Sequence, residues 1–538
     1  MKSVTILTIA AMAMAAATGC SHDNPTPSPE PPVKGGEFNE FGFTTTAPVT
    51  LSVDYGDMAG MPANVYFEVY DTCPVEETET AYAKIAGVEP LYAGYTDGQG
   101  RFEGTIELPA YIRKAYVLTP AFYARTLLEA TRSGDMLTAS AESGAPANAA
   151  PASTRAKEYH STAVERDGWK TWLGSYDTTY GSIGYEYDGD LKVKNYGALL
   201  KAHASVFDTT KKCPKEYRSS RDLYLEKSAE VVITLLGSNT CWNSSMGYYY
   251  YKTGNKPKSL ADANVVMIFP NTQDGRWSNS PWESRLYQGV ERGTAVQLIY
   301  YPEIADGSKA GATTVFPADY RIGFVLATNA WTNRLRAGDK KYRAATSDGL
   351  SVNNNGVAYQ TPRTAVFRYT DKKSGINSVL FSFEDHTNDE NFSDVVFTMT
   401  SNPVDAVTDI PSVDVNDGKK TANVLRGIYA FEDLWPSRGD YDMNDVMVRS
   451  DYEKVFNEKG VFEESFMLKT FANFAGNANG LAVTLTGAAA DAKLEFSVRK
   501  PGAETFEAAD FERDGKVVLL TPDVKETMGA TYRITAKY

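Results

Sequence analysis

The 538-residue sequence is poor in cysteine and histidine, with four of each, and it has no surplus of positive charge. So few cysteines exclude a small disulfide-stapled module. The histidines never fall at HExxH spacing, which leaves little material for a histidine-rich metal centre or a Ser-His-Asp triad. A net charge of −14 without a Lys/Arg-rich block predicts that nucleic acid is not a partner. The length predicts three or four domains of ~150 residues.

The N-terminus has the pattern of an export signal. Lys2 precedes an uncharged, mostly apolar stretch over residues 4–17, which is shorter than the ~20 residues of a membrane-spanning helix. The small residues before Cys20 resemble the lipobox of bacterial lipoproteins, in which this cysteine is diacylated, and a Pro-rich run follows. We therefore predict a signal peptide over residues 1–19, lipidation of Cys20 and a tether over residues 20–45. The alternative is an ordinary signal peptide followed by an incidental cysteine.

Three cysteines remain once Cys20 is assigned to the lipid. Cys213 and Cys241 flank one predicted strand, and in an oxidising compartment they are the candidate disulfide pair. Two free, buried thiols are the alternative. Cys73 is predicted to be a lone core or turn residue.

The rest of the chain has the pattern of an all-β protein. Short runs rich in β-branched and aromatic residues alternate with Gly, Pro, Asn and Asp, and helical periodicity is nearly absent over residues 229–400. We therefore predict an all-β, multi-domain fold, in which a small prealbumin-like sandwich precedes two larger, jelly-roll-like β-sandwich domains. The predicted bounds are 46–132 for the small sandwich, 133–160 for an Ala/Ser/Pro-rich linker, 161–405 for the second sandwich, 406–424 for a second linker and 425–538 for the last domain.

An acidic string occurs twice, each time between two predicted strands. Both copies read F-E-D, a short polar loop, D-x-[DN]-[FM]-x-D and then an apolar strand. The first copy covers residues 383–397, and the second covers residues 431–448. Composition alone does not account for two copies of so specific a string.

The two copies predict a site for a hard cation. Each brings five carboxylates into one hairpin, where like charges raise each other's pKa unless a cation lies among them. Calcium takes about 6 to 8 oxygen ligands, whereas zinc would need nitrogen or sulfur, which only His386 could supply. We therefore predict calcium as the cofactor, with Phe392 or Met443 pointing into the core; a solvated, turn-forming hairpin is the alternative. The predicted ligands are Glu384, Asp385, Asp389, Asn391 and Asp394 in the first copy and Glu432, Asp433, Asp440, Asp442 and Asp445 in the second.

Several stretches are similar to those of LruC-domain lipoproteins, which are surface lipoproteins found widely in Bacteroidota-type bacteria. They are the lipobox, NTCWNSSMGYYYY at residues 239–251, FPADYRIGF at residues 316–324, and the two F-E-D motifs. The resemblance covers most of the chain from about residue 229 onward. It implies an all-β fold and an outer-membrane or cell-surface location, but no activity. It also implies that this chain is a shortened version, because the family's C-terminal domain continues further.

We predict a non-enzymatic surface protein that is anchored to the membrane through its lipid. Its calcium-stabilised β domains would bind a glycan, matrix or another surface protein. Aromatic side chains could form stacking platforms for sugars, although aromatic residues in strands more often belong to the core. The candidates are Trp242, residues 248–251, Trp277 and Trp282.

Two alternatives to this function stay open. The first is a carbohydrate-active hydrolase with Glu384 and Glu432 as its two carboxylates. The second is a subunit of a surface fibre, in which the unfinished strand ending at Tyr538 leaves a sheet edge for a partner strand.

Overall fold

The predicted all-β fold is confirmed by the computed structural model of the chain. Strands dominate, and the described residues contain one α-helix, α1 (Tyr196–Val206). The structure describes residues 8–12, 46–56, 62–77, 82–141, 169–177, 181–240, 242–273, 289–331, 342–371, 375–385, 389–412, 419–433, 442–486 and 492–538.

The N-terminal sandwich, residues 46–141, is built on one seven-stranded sheet with the order β6-β3-β8-β9-β10-β2-β7 and a separate β4-β5 pair. The alternation of its strands explains the core, because every second residue of β2 is buried, as at Val49, Leu51 and Val53. Its strands are β2 (Thr46–Asp54), β3 (Tyr66–Tyr70), β4 (Val75–Glu77), β5 (Tyr82–Lys84), β6 (Tyr92–Tyr95), β7 (Arg101–Pro109), β8 (Lys114–Leu118), β9 (Leu127–Ser133) and β10 (Met136–Ser140).

The predicted end of this domain at residue 132 was too early. Strand β10 begins inside the predicted linker, and it pairs parallel to β2 and antiparallel to β9. Leu137 and Ala139 are buried on one face of β10. These two side chains are enough to hold the strand in place because its backbone forms ladder hydrogen bonds on both sides.

The middle sandwich, residues 169–412, consists of two packed sheets. One has the order β11-β15-β14-β18-β12-β23 with β19 on β18, and the other has the order β16-β13-β22-β21-β20 with β17 on β13. Its strands are β11 (Thr171–Trp172), β12 (Leu223–Leu225), β13 (Ala229–Ser238), β14 (Ser245–Lys252), β15 (Val266–Phe269), β16 (Ala295–Gln297), β17 (Val315–Phe316), β18 (Tyr320–Ala327), β19 (Arg343–Ala345), β20 (Thr364–Asp371), β21 (Ile376–Phe383), β22 (Val395–Asn402) and β23 (Val407–Thr408).

The second of these sheets is covered on both faces, which explains the continuous apolar run of β13. Val231, Ile233 and Leu235 face the other sheet of the middle sandwich. Leu236 belongs to a core that is shared with the N-terminal sandwich and α1. A strand that is buried on both faces has no polar side, so it does not alternate.

Helix α1 was not expected from the sequence pattern. It begins where the Asn195 side chain accepts a hydrogen bond from the Ala198 N–H at 3.2 Å. Leu199 and Leu200 are fully buried in the shared core, so the helix is held by tertiary contacts on one face.

The C-terminal sandwich, residues 419–538, pairs a four-stranded sheet, β1-β27-β31-β30, with a six-stranded sheet, β24-β25-β26-β32-β28-β29. Its strands are β24 (Lys420–Phe431), β25 (Val446–Asn457), β26 (Gly460–Ala472), β27 (Leu481–Thr486), β28 (Lys493–Arg499), β29 (Glu507–Ala508), β30 (Glu512–Asp514), β31 (Val517–Thr521) and β32 (Thr531–Lys537), together with β1 (Thr8–Met12) from the start of the chain.

Two expectations about this region were wrong. The predicted linker over residues 406–424 contains β23, which pairs with β12, and the start of β24, because both segments find partner strands. The last strand, β32, lies between β26 and β28, so its backbone is paired on both sides and it is not a sheet edge.

Of the predicted signal peptide, only residues 8–12 lie among the described residues. They form β1, which runs antiparallel to β27 with Thr8 opposite Thr486 and Met12 opposite Ala482. Among the residues that the structure describes, no helix is both long enough and apolar enough to cross a membrane.

One buried histidine links α1 to the N-terminal and middle sandwiches. The His203 ring lies between Phe122 and Phe207, with both ring centroids at 4.5 Å. Its Nε2 is 3.0 Å from the hydroxyl of Ser382. Burial lowers the pKa of His203 from 6.5 to about 3, so the ring is neutral.

This burial predicts a pH dependence. Between pH 3 and 6.5 the unfolded chain holds a proton that folded His203 lacks, so the free energy of unfolding should rise by about 1.4 kcal/mol per pH unit and level off above. Denaturant unfolding of the wild type and of His203→Phe at several pH values measures this rise as the difference between them, since the other groups cancel. A difference that is independent of pH would contradict the prediction.

Candidate metal-binding hairpins

Both acidic strings connect two adjacent antiparallel strands. The first acidic hairpin, residues 384–394, joins β21 to β22, and Phe383 lies opposite Val395 where it begins. The second acidic hairpin, residues 432–445, joins β24 to β25 with Phe431 opposite Val446. The acidic residues therefore lie at the same place in two different sandwiches.

The two hairpins share their internal hydrogen bonds. In the first, the Asp385 N–H donates to the Asp394 carboxylate at 2.6 Å, and the Phe392 N–H donates to the Glu384 carboxylate at 3.0 Å. In the second, the corresponding bonds run from the Asp433 N–H to Asp445 at 2.8 Å and from the Met443 N–H to Glu432 at 3.3 Å. The sequence repeat is therefore also a structural repeat.

The same backbone turn occurs in both hairpins. Phe392 has φ 58° and Met443 has φ 56°, the left-handed region that L-residues seldom adopt. Phe392 is fully buried in the core shared with the N-terminal sandwich, which confirms the prediction that it points inward. Met443 is only half-buried. Side-chain burial therefore stabilises the turn more strongly in the first hairpin.

The first acidic hairpin holds carboxylates that are removed from water. Glu384 and Asp394 are 1% and 3% exposed. Burial, together with the charges of neighbouring carboxylates, raises the pKa of each of these two groups well above its usual range. Burial also raises the pKa of Asp385 to about 7 and the pKa of Asp389 above its usual value. Ionising all four at once is costly unless positive charge lies among them.

Arg363, which is 2% exposed, is the described cation that lies against these four groups. One of its Nη atoms is 3.3 Å from Glu384 Oε1, but neither atom makes a hydrogen bond with a residue that the structure describes. Lys212 and Arg218 lie nearby, but their ion pairs are with Glu390 at the rim, each at 3.3 Å. The four inner carboxylates therefore face one guanidinium, and a buried Glu384 oxygen is left without a donor.

The second acidic hairpin is more open, and its oxygens are close enough to share an ion. Glu432, Asp433 and Asp445 each offer a carboxylate oxygen, and these three atoms lie within 4.8 Å of one another. Two oxygens that bind the same calcium at about 2.4 Å are at most ~5 Å apart, so this spacing fits. Asn477 and Asn479 donate hydrogen bonds to the Asp433 carboxylate at 2.9 and 3.4 Å.

The remaining predicted ligands shape their own loops. The Asn391 side chain accepts a hydrogen bond from the Ser393 N–H at 2.7 Å and donates one to Asp389 at 2.8 Å. Asp442 accepts from the Asn444 N–H at 3.3 Å in the corresponding way. Asp440 lies outside the described residues.

Residues from distant parts of the chain complete the two sites, and no sequence motif predicts them. The Thr240 hydroxyl donates to the Asp385 carboxylate, and Arg363 precedes β20. Asn477 reaches the second hairpin from the loop between β26 and β27. None of the three belongs to either acidic string, and only the pairing of the strands brings them near.

Other predicted residues have mixed outcomes. Cys213 is a buried, free thiol, which goes against the predicted disulfide and agrees with the alternative of free, buried thiols; Cys241 lies outside the described residues. Tyr248 and Tyr249 are fully buried in the core, which leaves neither ring face for a sugar. Trp242 stacks on Tyr342 with ring centroids 5.8 Å apart. Cys20, Trp277 and Trp282 lie outside the described residues.

Two segments of the chain match known protein families. Residues 47–141 match a family described as a domain of unknown function, DUF8469, and this segment coincides with the N-terminal sandwich. Residues 316–402 match another domain of unknown function, DUF4114, and this segment of the chain contains the first acidic hairpin. No curated protein and no solved structure matches the chain. These matches neither support nor contradict the LruC resemblance, which stays a prediction.

The different burial of the two turn residues predicts different stability losses. Phe392→Ala should lower the free energy of unfolding by about 3 to 5 kcal/mol, because it leaves a cavity in the shared core. Met443→Ala, at the matching position, should cost only about 1 kcal/mol because that side chain is half-buried. Urea unfolding monitored by circular dichroism compares the two variants. Equal losses of unfolding free energy would contradict the conclusion that side-chain burial stabilises the turn more strongly in the first hairpin.

Proposed function

We propose that this protein is an exported, lipid-anchored surface protein whose middle and C-terminal sandwiches are each stabilised by a calcium-binding hairpin. Such a protein would present rigid β domains to a glycan, a matrix component or another surface protein. The observation that carries the proposal is the matching hydrogen bonding of the two acidic hairpins, since unrelated solvated loops would have no reason to share it.

The donor set supports calcium over other ions. The acidic side chains of both hairpins offer oxygen atoms, which hard cations prefer as ligands. In the first hairpin, a dication would offset charges that Arg363 alone does not balance. In the second, the three converging carboxylates have the spacing of shared ligands. Calcium would supply charge neutralisation and stiffening of the hairpins.

The surface location rests on sequence patterns. The lipobox at Cys20 and the Pro-rich tether support an anchored protein, because two or more acyl chains hold a protein stably at a membrane. The net charge of −14 supports a partner other than nucleic acid.

Calcium should raise the melting temperature of the full chain. An ion at 100 times its dissociation constant stabilises the folded state by about 2.7 kcal/mol. Asp394→Asn and Asp445→Asn should each remove part of the calcium response, because each replaces a carboxylate that would bind the ion by a neutral amide. Thermal melting in chelator and in millimolar calcium, with isothermal calorimetry, measures these effects.

An exposed aspartate provides the control. Asp514→Asn, in β30, removes one charge far from either motif in sequence and should leave the calcium response unchanged. No heat and no melting shift with millimolar calcium in the wild type would sink the proposal.

The geometry does not favour the hydrolase alternative. Its two carboxylates, Glu384 and Glu432, lie in different hairpins on different sheets, whereas a catalytic pair must flank a single glycosidic bond. Glu384 is also 1% exposed, so a polysaccharide would not reach it.

A subunit of a surface fibre is the second candidate, and one observation favours it. Strand β27 pairs along one edge with β1, which lies in the predicted signal peptide. Removal of residues 1–19 would therefore leave that edge of β27 open to a strand from another molecule. The candidate edge is then β27, whereas β32 is internal.

The chain lacking residues 1–19 should self-associate as its concentration rises if this edge accepts a strand. Size-exclusion chromatography over a hundredfold range of concentration, with light scattering, measures the association. A synthetic peptide covering residues 4–16 should suppress it by occupying β27. A monomer at every concentration would contradict the fibre candidate.

A further inference from the structure

A cavity of about 300 Å³ lies where the three sandwiches meet. The N-terminal sandwich contributes Tyr66, Tyr95 and Tyr123, helix α1 contributes Lys201, and the C-terminal sandwich contributes Lys420 and Glu458. This volume is at the lower end of the range for small-molecule sites, ~300 to 1,000 Å³, and aromatic walls with a few charged groups are typical of such sites.

Close packing forms the walls of the cavity in advance of any ligand. Gly197 approaches the N-terminal sandwich so closely that a Cβ at this position would lie 2.3 Å from the Pro62 carbonyl oxygen. The Lys201 ammonium forms an ion pair with Glu458 across the junction between α1 and the C-terminal sandwich. On the other side, Tyr66 packs against Phe456 with ring centroids 6.1 Å apart.

The charged groups of the cavity are incompletely partnered. Lys420 is half-buried, burial lowers its pKa, and its ammonium lies 5.4 Å from the Tyr66 ring centroid. Among the described residues, the Asp208 and Glu68 carboxylates act on its charge, but neither forms a salt bridge with it. Lys201 donates to one Glu458 oxygen, and the other, Oε2, is buried without a hydrogen-bond partner among the described residues. The cavity thus offers one cation for an anion and one carboxylate oxygen for a hydroxyl donor.

We propose that this cavity binds an acidic monosaccharide unit, a sugar ring that carries a carboxylate, as in uronic or sialic acids. The carboxylate pairs with the Lys420 ammonium, a ring hydroxyl donates to Glu458 Oε2, and the apolar face of the sugar ring lies against Tyr95, the half-buried tyrosine of the wall. The size of the sugar ring suits the volume of the cavity, and the Lys420 ammonium suits the carboxylate of an acidic sugar. This inference rests on the glycan-binding part of the proposed function, and no residue of either acidic hairpin takes part.

Isothermal calorimetry and saturation-transfer NMR on the full chain test the site, with glucuronate and N-acetylneuraminate as probes and glucose as the neutral comparison. At least one acid should bind, and glucose should bind at least about tenfold more weakly. Lys420→Met should weaken binding of the acid by about tenfold or more, and Lys420→Arg should retain most of it. Glu458→Gln should weaken binding less, because the amide oxygen still accepts a hydroxyl.

A neighbouring lysine provides the matched control. Lys419→Met makes the same chemical change at an adjacent, exposed position whose ammonium lies over Phe462, and it should leave binding unchanged. Equal melting temperatures of the two Met variants show that Lys420→Met is folded; if it is not, the Lys420→Arg and Glu458→Gln results decide.

Several results would overturn the inference. They are absence of binding by both acids, equal binding of glucose, and acid binding that Lys420→Met leaves intact in a folded protein. Glycan-array binding that survives Lys420→Met, or a calcium response without acid binding, would defeat this site alone and leave the proposed function standing. If calcium gave no response but the acid still bound, the calcium part of the proposed function would be defeated and this site would stand.

Discussion

The crowding of carboxylates at the first acidic hairpin is the constraint on which much of the packing depends. Glu384 and Asp394 are buried at the end of a sheet that is itself covered on both faces. The turn that brings them together forces Phe392 into the left-handed region, and its side chain enters the core shared with the N-terminal sandwich. The charge of the hairpin and the junction of two domains are therefore linked through one residue.

The three sandwiches pack against one another through side chains of each domain. Helix α1 places Leu199 and Leu200 in the core common to the first two sandwiches. Lys454 of the C-terminal sandwich donates to the Ala93 carbonyl and lies 4.5 Å from the Tyr92 ring centroid. Burial lowers the pKa of Lys454 to about 8, so this junction carries a charge in a desolvated place. The cavity lies at the same junction, between surfaces that each domain alone would expose.

Much of the fold could be predicted because its strands obey a short-range rule. Alternation marks the half-buried strands such as β2, and unbroken apolar runs mark the doubly covered ones such as β13. Strand β10 escaped prediction because its buried side chains, Leu137 and Ala139, are few and small. Helix α1 escaped because tertiary contacts, more than a strong local pattern, hold it.

The sequence by itself determined the all-β class and the repeated acidic hairpins, because strand periodicity and a short motif are both local properties. Only the tertiary structure decided the partners of those hairpins. Arg363 and Thr240 approach the first, and Asn477 approaches the second, through strand pairings between distant segments. It alone also decided that β32 is internal and that Lys420 and Glu458 line one cavity, because sheet order and domain contacts depend on long-range packing that no local pattern encodes.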